Sequence, residues 1–285
     1  MMNSLEKYLS ERAVRLPDEK IDFSAAFQSG LVRRGYVIVM TGRSGSTWLA
    51  SSLQQLPGFG RPEEYFSEPI IHYFWPCDAP QDFSEVFLGI VNKYADQGCF
   101  GFKINPDRLL WLGKLVDIEK TFSTSFFSWI DMRRLNLVKQ GISYAVAKKS
   151  GLWHNFAGKE MDVKKYSVSE DFSDADVWRE IFLILQQEQA IDKFYASAGI
   201  VPLRIFYEEL SDSKPNLLIR TCRFIRSDIP CDVRSVIDGT IKLDKTQYHD
   251  KEQVFTEKFA KTLNQIYCER ATISIQQIKQ QVQTN

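Results

Sequence analysis

A chain of 285 residues can bury a full core, and its 44% hydrophobic and 25% charged content is that of an ordinary globular protein, not a fibrous or disordered one. Thirty-six basic residues balance 36 acidic ones, so no bulk field draws the chain to nucleic acid or an anionic membrane. Five cysteines without a Cys-x-x-Cys pair argue against a zinc site or a disulfide framework and predict a reducing, cytoplasmic setting.

Residues 1–20 are charged and lack an apolar stretch of signal-peptide length, and no apolar run approaches a membrane span, so neither secretion nor membrane insertion is expected. Residues 36–41 read as a buried strand. A turn with two glycines, three hydroxyls and an arginine follows: Gly42, Arg43, Ser44, Gly45, Ser46 and Thr47. The pattern predicts a helix over 47–56, stopped by Pro57-Gly58. A second strand fits 100–104, a helix 107–115, a third strand 126–132 and a helix 136–149. A long helix fits 173–198, with Ser173 as N-cap and Gly199 as stop, then a fourth strand 202–207 and a helix 215–225.

The stretches 156–170 and 244–251 are polar and aperiodic and are expected to be loops; the glutamine-rich tail 276–285 is expected to fray. Strands alternating with helices imply parallel crossovers. The expected architecture is therefore one α/β domain over 1–285, P-loop-like, with a doubly wound central parallel sheet flanked by helices.

A strand running into a helix start presents free backbone N–H groups and a positive dipole end, a geometry that attracts phosphate or sulfate. The ATP-type loop requires Gly-Lys-[Ser/Thr], but Ser46 follows Gly45 here and the cation, Arg43, comes earlier. Its guanidinium can fork onto an anion, with Ser44, Ser46 and Thr47 as hydroxyl donors and no obvious provision for a metal. The competing reading is that these hydroxyls cap the helix.

In such sheets ligands lie beyond the carboxyl ends of the strands. Those ends should gather Arg43, Lys103, Arg133 and Arg134, with Gln140 and Ser143 on the helix beyond. A second dense segment, Gly60-Arg61-Pro62-Glu63-Glu64-Tyr65-Phe66, sets two carboxylates beside aromatic rings. Partial desolvation raises a carboxyl pKa towards the range useful for a general base. The alternative is that both glutamates simply pair with Arg61.

Together these pieces resemble the sulfotransferases that use 3′-phosphoadenosine-5′-phosphosulfate (PAPS). The run Thr41 to Trp48 is similar to their 5′-phosphosulfate loop, in the Arg-Ser-Gly-Ser-Thr form of the bacterial trehalose sulfotransferase group. That group also has a Gly-x-Pro-x-Glu-[Tyr/Phe]-Phe segment, matched by Gly60 to Phe66. Gly101-Phe102-Lys103, Arg134, Gln140, Ser143, Trp153 and the Tyr207-Glu208 strand end match further elements, so the resemblance covers roughly residues 35–225.

The resemblance implies sulfuryl transfer from PAPS to a hydroxyl of a carbohydrate, glycolipid or small metabolite, leaving adenosine 3′,5′-bisphosphate (PAP). It puts the general base on Glu64, with Lys103 assisting; Arg43, Ser44, Gly45, Ser46 and Thr47 on the 5′-phosphosulfate; and Arg134 and Ser143 on the 3′-phosphate. By analogy alone it implies a homodimer. Residues 67–100 depart from the pattern, with His72, Tyr73, Phe74, Trp75 and Pro76, so trehalose is not carried over as the acceptor. His72, His154 and His249 rank behind Glu64 as bases, since none follows a matching motif. The alternatives are an ATP-dependent nucleotide or small-molecule kinase on the same fold and a catalytically silent nucleotide-binding protein.

Overall fold

The computed structural model describes residues 14–67, 82–151, 172–226, 232–236 and 246–270. It groups into two compact units, Met1–Arg133 with Pro202–Asp238 and Arg134–Val201 with Gly239–Asn285. The strands are β1 (Arg34–Met40), β2 (Cys99–Ile104), β3 (Phe127–Arg133) and β4 (Leu203–Phe206). The principal helices are α1 (Ser46–Gln54), α2 (Phe83–Tyr94), α3 (Pro106–Leu115), α4 (Leu137–Ser150), α5 (Asp174–Ser197), α6 (Lys214–Ile225) and α7 (Thr246–Lys258).

The first unit holds a parallel sheet in the order β2-β1-β3-β4. Val39 pairs with Ile104, Met40 with Met132 and Arg133 with Phe206, so the carboxyl ends finish within about a residue of one another. Every residue of β2, and all of β1 after Arg34, is buried. Strands covered on both faces read as continuous apolar runs, which is how 36–40 and 100–104 announce themselves in the sequence.

Side chains alternate across the strands, so Tyr36, Ile38 and Met40 face one side with Leu49 and Leu53 of α1 and Leu217, Leu218 and Cys222 of α6. The other side is largely aromatic. Phe102 meets Phe122 at 5.3 Å, Phe127 meets Phe27 at 5.4 Å, and Phe83 of α2 meets Trp111 of α3 edge-on at 6.3 Å. Removing each such side chain from water stabilises the fold by about 1.5–3 kcal/mol. Helices thus flank the sheet on both faces, as the doubly wound reading expects.

Two stretches differ from the sequence expectation. Residues 83–94 were assigned no element, yet they form α2, whose Phe83, Val86, Phe87, Ile90 and Val91 make an apolar stripe and whose cap is the Asp82 carboxylate, accepting from the Glu85 N–H at 3.0 Å. The stretch 244–251 was expected to be a loop, but α7 starts at Thr246. Its His249 and Asp250 are exposed, and the helix is anchored farther along by the buried Phe255. The loop 156–170 and the tail 276–285 lie outside the described residues.

The second unit packs Val138 and Ile142 of α4 against Val177 and Ile181 of α5 and Phe255 of α7. The approach of α5 to α4 is close: a Cβ on Gly141 would lie 2.8 Å from Ile181 Cγ1. Helix α5 opens on the expected Ser173, in a capping box with Asp176.

Gly101→Ala is expected to destabilise the first unit by about 1–3 kcal/mol, read as a lower urea midpoint. A Cβ there would lie 2.1 Å from Cζ of the Tyr36 ring, which is pinned by its hydroxyl donating to the Phe59 carbonyl at 2.7 Å. The Ser173 backbone N–H, then the Lys149 ammonium, hold the Asp176 carboxyl well below the usual carboxylate range. A depressed folded pKa gives stability that is complete above the unfolded value of about 3.9 and is lost as pH falls through the folded value. Asp176→Asn should therefore flatten the acid limb of the stability curve below about pH 4 and leave its slope near neutrality unchanged.

Candidate active site

The sheet order makes β1 the strand from which the chain turns first to one neighbour, β2, and then to the other, β3, so the crevice for a ligand opens at its carboxyl end. The chain leaves β1 through Thr41 and Gly42 and takes left-handed conformations at Arg43 (φ 64°) and Gly45 (φ 90°). Glycine is required at the second of these. A Cβ on Gly45 would also lie 2.4 Å from Cδ2 of Tyr207, at the end of β4. A left-handed arginine is uncommon.

Between these two residues Ser44 is fully buried, its N–H donating to the Thr41 carbonyl at 3.3 Å. Its Oγ is buried without a hydrogen-bond partner among the described residues. Helix α1 then starts at Ser46 with Gly45 as N-cap and no side-chain cap. The capping account of Ser44, Ser46 and Thr47 is therefore not realised. What remains is a helix N-terminus without a side-chain cap beside an orphaned buried hydroxyl, an arrangement that fits the phosphosulfate end of PAPS.

Segment 61–65 is fastened along β2. Gly60 turns with φ 66°, and a Cβ there would lie 2.9 Å from the carbonyls of both Tyr94 and Cys99. The Arg61 N–H donates to the Tyr94 carbonyl at 3.1 Å, and the Lys103 N–H to the Glu63 carbonyl at 3.1 Å, in a parallel bridge between Glu63 and Phe102. Tyr65 donates its hydroxyl to the Arg61 carbonyl and stacks on Tyr94 at 5.0 Å, and burial pushes the pKa of that hydroxyl up. Phe66 lies edge-on to Phe102 at 5.5 Å.

The two glutamates consequently part company. Glu63 lies 3.6 Å from the exposed Arg61, whereas Glu64 pairs with Lys103 Nζ at 3.2 Å. Only 3% of the Lys103 side chain is exposed, and its ammonium also reaches the Thr47 hydroxyl at 3.5 Å. Glu64, Lys103 and the first turn of α1 are thus contiguous, and the expectation that both carboxylates serve Arg61 holds for Glu63 alone.

Arg133, expected among the ligand-facing cations, is instead buried against Asp131, with Nε at 2.9 and 3.1 Å from its two carboxylate oxygens. Arg204 of β4, in register with Asp131, adds a contact at 2.9 Å. Strand pairing brings these charges together, and no local signal in the sequence separates Arg133 from Arg134. Tyr207, which walls Gly45, was recognised only as part of a similar strand end and given no role.

In the second unit Arg134 precedes α4 and is half-buried; on α4 itself Gln140 is buried and Ser143, one turn on, is half-buried. Asn136 caps the helix, accepting from the Lys139 N–H at 2.8 Å. His249 is exposed on α7, 3.8 Å from Glu252, while His72, Trp75, Trp153 and His154 lie outside the described residues. Among the described residues no cluster of His, Cys, Asp or Glu could hold a metal, and no helix is long and apolar enough to cross a membrane.

The family model described as Stf0 sulphotransferase matches residues 104–261. The sequence matches no curated protein. Among solved structures, a sulfotransferase from Alicyclobacillus acidocaldarius is similar at 12% identity and a TM-score of 0.41, covering 80% of this chain and 94% of that one.

Gly45→Ala is expected to cost about 1–3 kcal/mol, because it combines a left-handed backbone with a clash against the Tyr207 ring. Urea unfolding of the variant measures that loss.

Proposed function

The chain belongs to the Stf0 sulphotransferase family, and on that basis we propose that it transfers a sulfuryl group from PAPS to a hydroxyl of a carbohydrate, glycolipid or small metabolite. The observation that carries this reading is the position of Lys103, whose buried ammonium touches both the Glu64 carboxylate at 3.2 Å and the Thr47 hydroxyl of the anion loop at 3.5 Å. A base, a cation and an anion-binding turn are thereby linked within one unit.

PAPS supplies an activated sulfuryl group. The loop from Arg43 to Thr47, with its backbone N–H groups, the Arg43 guanidinium and the Ser44 hydroxyl, holds the 5′-phosphosulfate. Glu64 orients the acceptor hydroxyl and takes its proton as that oxygen bonds to sulfur and the bond from sulfur to the 5′-phosphate oxygen breaks. Lys103 then faces a neutral carboxylic acid in place of a carboxylate, and its charge is released towards the departing phosphate. The rate comes chiefly from positioning and preorganised charge. Arg134 and Ser143 take the 3′-phosphate, an assignment supported by their match in order and spacing to the family pattern.

The kinase alternative has little support, since Ser46 occupies the place of the P-loop lysine. PAP binding without transfer to any acceptor would favour a silent nucleotide-binding protein.

Labelled PAPS offered with a panel of sugars, glycolipids and cell extracts should yield a labelled product, and PAP should raise the melting temperature where ATP does not. Glu64→Gln is expected to reduce transfer by about 10²- to 10⁴-fold while PAP affinity stays within about twofold. Arg134→Ala is expected to weaken PAP about tenfold or more. Near-normal transfer by Glu64→Gln would move the base to another residue, and protection by ATP with magnesium in place of PAP would favour the kinase.

A further inference from the structure

The turn that carries Arg134 into α4 is held by residues more than a hundred positions away in the sequence. Arg270 donates from Nη2 to the Arg134 carbonyl at 2.7 Å and from Nη1 to the Leu135 carbonyl at 3.1 Å. The same guanidinium is fixed on its other edge by Glu188 of α5, with Nε to Oε2 at 2.8 Å and Nη2 to Oε1 at 2.6 Å. Glu188 is 4% exposed and Arg270 13%. The Tyr267 hydroxyl accepts from the Leu137 N–H at 3.1 Å, and Glu252 accepts from Asn136 Nδ2 at 3.0 Å.

Glu252, Tyr267 and Arg270 therefore reach four consecutive residues, 134–137, and the last two of these braces lie beyond the residues the family model matches. Packing alone does not ask for this. Phe255 and Leu263 already seat the segment against Val138 and Ile142 of α4. A forked guanidinium locked by a buried carboxylate fixes the two carbonyls in direction as well as distance, which an apolar contact does not. Burial raises the Tyr267 pKa, so its hydroxyl remains neutral through the physiological range.

We propose that the carboxy-terminal segment 252–270 is a positioning brace for the turn at residues 134–137, and that through it Glu188, Tyr267 and Arg270 set the affinity of Arg134 for the 3′-phosphate of the nucleotide. The proposal rests on the assignment of Arg134 under "Proposed function". None of the three residues need touch the nucleotide. Each acts by holding the backbone from which the Arg134 side chain extends.

The test is a double-mutant cycle on the full chain, with PAP affinity measured by titration calorimetry. Arg270→Lys keeps the charge and loses the fork, and is expected to weaken PAP about five- to tenfold when Arg134 is present but less than about twofold in the Arg134→Ala background. If Arg270→Lys fails to fold, Tyr267→Phe, which removes one hydroxyl, carries the same cycle with an expected loss of about threefold. An equal loss in both backgrounds, or none when Arg134 is present, overturns the brace. If Arg134→Ala alone binds PAP as tightly as the unaltered chain, the 3′-phosphate assignment itself fails and takes the brace with it.

Discussion

A lysine ammonium with only 3% of its side chain exposed costs several kcal/mol unless a counter-charge meets it. Lys103 stands at the penultimate position of a strand buried on every residue, so that partner has to come from another segment. It comes from Glu64, and the segment bearing Glu64 is itself fastened to β2 through the Lys103 amide and the Glu63 carbonyl. One residue thus bonds the segment by its backbone and the carboxylate by its side chain. The contact to Thr47 extends the same connection to the first turn of α1.

The turn that follows β1 presents a different case. A cap from any of three hydroxyls would have satisfied the start of α1, yet Gly45 occupies the N-cap position and Ser44 keeps a buried oxygen without a partner among the described residues. Arg43 and Gly45 both take left-handed conformations, and the Tyr207 ring lies where a Cβ on Gly45 would be. An uncapped helix start beside an orphaned buried hydroxyl is what the proposed anion site rests on.

Charge is handled differently elsewhere in the first unit. Asp131 gathers Arg133 and Arg204 from adjacent positions on β3 and β4, so these guanidinium groups are engaged in the sheet. In the second unit Glu188 engages Arg270 in the same manner, but there the guanidinium also carries two backbone carbonyls. In both places a buried carboxylate fixes the direction of an arginine guanidinium.

Much of this was legible in the residues alone. Continuous apolar runs marked the parallel strands, and Ser173 and Gly199 marked the limits of α5 because caps and stops are local chemistry. The loop from Gly42 to Thr47 and the segment from Gly60 to Phe66 stood out because each gathers glycines with hydroxyls or paired carboxylates at short spacing. Residues 83–94 carry an apolar stripe that was assigned no element, and 244–251, which include the start of α7, read as a loop because a helix with one anchoring face looks polar over a short window. Which glutamate meets Lys103, which of Arg133 and Arg134 is spent on Asp131, and what Arg270 holds lay beyond any local pattern. Each depends on strand register or on contacts between residues tens to more than a hundred positions apart. Short-range spacing therefore specified the elements and the kinds of chemistry available, while long-range pairing in the folded chain selected which charged groups are consumed by one another.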